Sequence, residues 1–146
     1  MENEHKVILE AEPKADDMQA LVKGLTEFNA SQANGDTPHY IVVTVKNCEG
    51  VLSGGLLGAT YLGWLQIQVV WLDDKLRGCG YGSKLMAVAE KEALRRGCAQ
   101  SFVETLSFQA LPFYQKCGYE VFSRLPDFPP GGARYALTKK LSAKSD

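Results

Sequence analysis

The chain has 146 residues, about one domain's worth, because single cores run to roughly 100–200 residues. Apolar residues make up 45% and charged residues 23%, a balance that excludes a disordered tail or a collagen-like rod and calls for a buried core. A net charge of −1 argues against bulk attraction to nucleic acid or an anionic membrane, and no apolar stretch reaches the roughly 18–20 residues of a bilayer span.

Val7 to Glu10 is a short apolar run suited to a strand. Pro13 then opens a segment with Met18, Leu21, Val22, Leu25 and Phe28 at helical spacing, with Asp16 and Asp17 in the first turns where the helix dipole favours negative charge. Asn34, Gly35, Asp36 and Pro38 stop it. From Tyr40 the residues are β-formers, Asn47 to Gly50 is a turn, and Val51 to Leu62 resumes the extended pattern, which predicts an antiparallel hairpin. Gly54, Gly55 and Gly58 in its second arm mark a bulge or a close backbone approach. Leu65, Ile67, Val69 and Trp71 alternate with Gln66, Gln68, Val70 and Leu72, giving period two over a third strand.

Next comes Arg77-Gly78-Cys79-Gly80-Tyr81-Gly82, then a helix over Ser83 to Arg96 with Leu85, Met86, Ala89 and Ala93 on one face and Gly97 as its stop. Gln100 to Leu106 reads as a strand, Pro112 starts a short helix ended by Gly118, and Tyr119 to Ser123 and Ala133 to Lys140 are the last extended runs. The predicted order is β-α-β-β-β-α-β-α-β-β, one mixed α/β unit over residues 1–146.

Three glycines at alternate positions between a strand and a helix let successive N–H groups point into one concavity. The helix N-terminus adds partial positive charge, and Lys75, Arg77 and Lys84 add formal charge, a set suited to a diphosphate. A dinucleotide fingerprint is excluded, since the spacing is G-x-G-x-G after a meander. A P-loop is excluded too, since Gly82 is followed by Ser83 and then Lys84.

Arg77 to Gly82 resembles the cofactor signature of the GCN5-related N-acetyltransferases: Arg or Gln, two residues, Gly, one residue, Gly or Ala. Ser107 to Tyr119 is similar to that family's second cofactor segment, Asn-x-x-Ala-x-x-φ-Tyr-x-x-x-Gly-φ, where φ is apolar or aromatic. The two motifs cover residues 70–120 well, whereas residues 1–60 match in predicted elements only. The resemblance implies an α/β (α+β) GNAT fold: a single domain with a mixed, mostly antiparallel central sheet, a splayed parallel strand pair and flanking helices.

It also implies acetyl-CoA as cofactor and direct transfer of its acetyl group to a primary amine. The turn residues Arg77, Gly78, Cys79, Gly80, Tyr81, Gly82 and Ser83 would hold the pyrophosphate, and Val70, Trp71 and Leu72 would pair with pantetheine. The backbone N–H of Val70 would polarise the thioester carbonyl, and Tyr114 would meet the coenzyme A sulfur as general acid. Ser107 stands where the family often has a pantetheine-binding asparagine. The family's strand glutamate is replaced by Gln66 and Gln68, so Glu104 is the candidate base, reading equally as a solvated strand carboxylate. Trp64 and Trp71 read as core.

Cys48, Cys79, Cys98 and Cys117 form no C-x-x-C pair, and His5 and His39 have no metal-ligand spacing, so no metal and no thiol nucleophile is expected. The Met1 to Glu4 start lacks the layout of a signal peptide, which predicts a cytoplasmic protein. Residues 1–74 hold four Lys against eleven acids, and residues 75–146 twelve Lys or Arg against six. An acidic first half suits a cationic small-molecule or peptide amine. No nucleic-acid or membrane partner is expected, and a homodimer through an edge strand stays open. The competing reading is a catalytically silent acyl-CoA sensor, which shares Arg77 to Gly82 but needs neither Tyr114 nor a base.

Overall fold

The structure, a computed structural model, describes residues 4–142; Met1 to Asn3 of the acidic start lie outside them. The chain divides into two compact units, Met1–Thr37 and Pro38–Asp146. In the first, α1 spans Ala15–Gln32, with Asp16 and Asp17 in its first turn as the dipole prefers. It ends through left-handed Asn34 and Gly35 (φ 53° and 82°). The strand expected over Val7 to Glu10 is absent. An apolar run becomes a strand only where a neighbour takes up its N–H and C=O groups, and residues 7–10 join no ladder among the described residues.

The second unit is a six-stranded sheet with helices on one face. Its strands are β1 (His39–Lys46), β2 (Leu52–Tyr61), β3 (Trp64–Leu72), β4 (Gln100–Leu106), β5 (Glu120–Pro126) and β6 (Ala133–Lys140), in the order β1-β2-β3-β4-β6-β5. Every neighbouring pair is antiparallel except β3 and β4. The crossover from β3 to β4 is made by a short 3₁₀ turn at Asp74–Leu76 and by α2 (Tyr81–Arg95), while α3 (Leu111–Lys116) connects β4 to β5. The predicted hairpin, meander, helices and final strands are thus present, shifted at most by two or three residues at their ends.

Leu85, Met86, Ala89 and Ala93 of α2 are buried against Ile41, Leu56, Leu65, Ile67, Val103 and Leu137 from five strands. Each large apolar side chain placed there contributes about 1.5–3 kcal/mol. At the far end of α2, Arg96 donates to the carbonyls of His39 and Tyr40 and to Thr60 Oγ1, while its Nε donates to Glu92 at 2.7 Å, so one side chain ties the helix to β1 and β2.

Period two along β3 breaks at one residue. Leu57 faces Val69 and Gly58 faces Ile67, leaving Gln68 as a bulge. One extra residue moves every later side chain to the other face. Leu65 and Ile67 point inward, and beyond the bulge Val70 and Leu72 do so, while Val69 and Trp71 are about half exposed. Trp71 therefore corrects the reading of that residue as core.

Candidate active site

The β3–β4 ladder runs from Trp64–Gln100 to Ile67–Val103 and stops, although β3 continues to Leu72 and β4 to Leu106. The predicted parting of the two parallel strands is present. On its β3 side the alternation of the backbone can be read from two bonds. Asp73 N–H donates to Ser53 O on β2 at 2.8 Å, and Arg77 Nε donates to Leu72 O at 3.2 Å. Asp73 and Trp71 therefore address β2, and the N–H and C=O groups of Val70 and Leu72 point the other way, to the side that β4 has left. Without the bulge at Gln68, Val70 would have addressed β2.

The glycine turn lies at the end of β3. Gly78 and Gly80 have φ of +74° and +85°, in the left-handed region, and a Cβ at either position would meet nothing within 4 Å. Gly80 precedes α2 with no side-chain cap, and no acidic residue stands in the first turn. The first N–H groups of α2 are thus offered outward rather than satisfied locally. Gly82 serves differently: a Cβ there would lie 2.9 Å from the Phe113 ring, so its bareness lets α2 begin against α3. Arg77 is braced to Asp74 at 2.9 Å and to Leu72 O, Lys84 lies 5.4 Å from the Tyr81 ring centroid, and the exposed Cys79 thiol sits 3.7 Å from Arg77 O.

α3 starts five residues after the end of β4. Thr105 Oγ1 accepts the N–H of Ala110 at 3.3 Å, and Gln109 Oε1 accepts that of Leu106 at 2.7 Å, which folds the chain back over the inner face. Tyr114 on α3 is buried against Phe113 and Tyr119, ring centroids 5.1 and 6.2 Å away. Loss of solvent, with a smaller contribution from the Cys117 thiolate, pushes its phenol up to about 12. It is a protonated donor at any physiological pH. Burial likewise pushes the Cys117 thiol up, with Glu90 adding to the effect, as suits a structural thiol rather than a nucleophile.

The Acetyltransferase (GNAT) family profile matches residues 6–119. The chain belongs to that family. The blasticidin-S acetyltransferase of Streptomyces morookaense is 45% identical over 93 residues, 63% of this chain and 68% of that protein. A crystal structure from Agrobacterium tumefaciens described as an acetyltransferase superposes with a TM-score of 0.85 at 28% identity, covering 93% of this chain and 99% of that one. One from Bacillus cereus gives 0.78 at 29%, covering 93% and 98%. The fold is the GNAT fold, and the protein is an acetyl-CoA-dependent N-acetyltransferase; nothing in these relatives supports the silent sensor.

Within this GNAT protein, Val70 and Leu72 lie past the last β3–β4 rung and pack on the same core cluster as Tyr114, and the 77–83 turn follows the end of β3. Glu104 stands beyond the last β3–β4 rung on the opposite face, because Val103 and Thr105 are buried and Glu104 alternates with them. Its carboxylate is bonded to Arg134 Nε. Arg134 in turn lies 4.9 Å from the Phe128 ring centroid. Nothing in the local sequence marks Arg134 or Phe128; the nearness of Arg134 to Glu104 depends on the β4–β6 register, which no local pattern reveals. Ser107 Oγ accepts the N–H of Ala133 at 3.1 Å and so pins the loop at 126–132, leaving its hydroxyl hydrogen and one lone pair for a cofactor arm. Among the described residues, no three His, Cys, Asp or Glu side chains gather as metal ligands, and no helix is long and apolar enough to cross a membrane.

Proposed function

We propose that residues 1–146 act as one N-acetyltransferase domain that moves acetyl from acetyl-CoA directly to a primary amine of a small molecule. The observation that carries this is the parting of β3 from β4 beside the uncapped start of α2. The open space over Gly78 and Gly80 and the absence of acids in the first turn fit a diphosphate. The backbone of Arg77 to Ser83 would hold it, and Val70 and Leu72 would line the thioester arm, whereas Trp71, expected to pair with pantetheine, has its backbone groups turned to β2. The bound thioester supplies an activated acetyl carbon.

Val70 N–H, directed into the parting, donates to the carbonyl oxygen as negative charge develops there. Tyr114 acts on the inner face. A phenol held near 12 does not hand its proton outright to a thiolate, whose own acid is several units stronger; it stabilises the departing sulfur by a charge-assisted hydrogen bond. Glu104, on the outer face, receives or relays the proton of the incoming amine. The amine and the leaving sulfur thus have separate protein partners on opposite faces of one sheet.

Blasticidin S, named for the Streptomyces relative, is the first acceptor to assay. Coenzyme A is expected to raise the melting temperature, and thiol release from acetyl-CoA is expected with amine acceptors. Tyr114→Phe should lower kcat roughly 10–200-fold, the worth of one hydrogen bond to a charged group, with coenzyme A affinity nearly unchanged. An unchanged kcat refutes the role of the phenol.

A further inference from the structure

Glu104 is the first β4 residue past the last rung shared with β3, and it faces Ala136 across the β4–β6 ladder, with Arg134 two residues further toward the mouth on the same face. The pair keeps 36% (Glu104) and 33% (Arg134) of its side-chain surface exposed. A guanidinium has five N–H donors in a plane. The bond to Glu104 uses the Nε donor, Phe128 covers the plane, and among the described residues no hydrogen bond is seen from the two terminal nitrogens. Phe128 is not a loose wall. Its loop is closed by Asp127 N–H on Gly132 O at 3.0 Å, Gly132 N–H on Pro129 O at 2.8 Å, and the Ser107 contact to Ala133.

We propose that Glu104 and Arg134 clamp the acceptor by both ends of a dipole, the amine against Glu104 beside the parting and a carboxylate of the same molecule on the terminal nitrogens of Arg134. The preferred acceptor is then an amino acid or a molecule derived from one, rather than a plain cationic amine. This rests on the parting being the transfer site. The two charges sum to zero, so a simple cation attracted by Glu104 is repelled by Arg134 at similar range, whereas a dipolar molecule gains from both. An ion pair with about a third of its side-chain surface in solvent is screened and can exchange partners with such a ligand. The planar fork of Arg134 matches a carboxylate with two parallel bonds. The order along the strands also fits, because the amine end is the one nearest the gap.

The test uses acceptor pairs that differ only by a carboxylate: lysine and cadaverine, ornithine and putrescine, phenylalanine and phenethylamine. With thiol release as the readout, the carboxylated member of at least one pair should have kcat/KM about tenfold higher or more, through KM. Arg134→Gln should bring that ratio close to one. Equal kcat/KM within every pair, or a ratio that survives in Arg134→Gln, overturns the clamp. If no pair is turned over, calorimetry on coenzyme A-loaded protein reads it directly, and no heat, or equal heat from both members, overturns it. Failure of the transfer site itself shows separately, as no thermal shift with coenzyme A, and takes the clamp down with it.

Discussion

Replacing Gly80 by Ala tests whether the turn before α2 is built for its ligand. Gly80 has φ +85° and ψ 1°, and a Cβ there meets nothing within 4 Å, so the cost is backbone strain alone, about 1–2 kcal/mol for a left-handed L-residue. That strain has two outlets. If the turn keeps its shape, the whole amount appears as lost stability, roughly 2–8 °C in melting temperature for a chain of this size. If the turn relaxes, the N–H groups leave the concavity and coenzyme A affinity falls by about 5–30-fold instead. Melting with and without coenzyme A, together with titration calorimetry, measures both outlets, and their sum should account for the strain. Gly80→Asn is the control, because Asn tolerates the left-handed region and should recover most of the melting temperature. Unchanged melting and unchanged affinity in Gly80→Ala, or an Asn variant no better than Ala, would refute the argument that this conformation is required.

With the Tyr114 phenol near 12, the kcat profile should rise as the acceptor amine loses its proton and show no fall below about pH 11. A descending limb near pH 10 that disappears in Tyr114→Phe would contradict this placement. Tyr119→Phe removes a hydroxyl that lies 2.8 Å from the fully buried Ser101 Oγ and donates to Glu90 at 3.2 Å; the orphaned Ser101 should cost about 1–3 kcal/mol in urea unfolding, and a cost near zero would show that Ser101 finds another partner. Glu92, hydrogen-bonded to Arg95 and Arg96, is held down to about 2 from 4.5. Its contribution is therefore present above pH 4.5 and lost as pH falls toward 2. In Glu92→Gln that part of the acid unfolding curve should flatten, and an unchanged curve would place the acid sensitivity elsewhere.

How much of this was legible in the sequence depends on the range over which each signal is set. The glycine turn, the α2 face, the stop at Gly97 and the segment leading to Tyr114 are written within a few consecutive residues, and the structure has them where the sequence puts them. Trp71 was not readable, because the face it occupies is decided by a bulge at Gln68 that exists only opposite the Leu57–Gly58 step of another strand. The same bulge turns Val70 N–H toward the parting, so a residue named on resemblance owes its geometry to a feature the resemblance did not contain. The strand expected at residues 7–10 has β-forming residues and no ladder, since propensity supplies a pleated surface but not a partner.

Glu104 illustrates the remaining gap. As a lone carboxylate in sequence it reads as a base or as a solvated charge, and neither description includes Arg134, thirty residues on and beside it in space. A carboxylate already sharing a guanidinium can still accept a hydrogen bond from an amine bound next to it, and the approach of that amine displaces part of the pairing with Arg134. The same displacement frees guanidinium donors for a second anionic group. Acceptor binding and acceptor deprotonation are then coupled at one ion pair, so Glu104→Gln should lower kcat and narrow the preference for carboxylated acceptors together. A mutation that moved only one of the two would separate the base from the clamp.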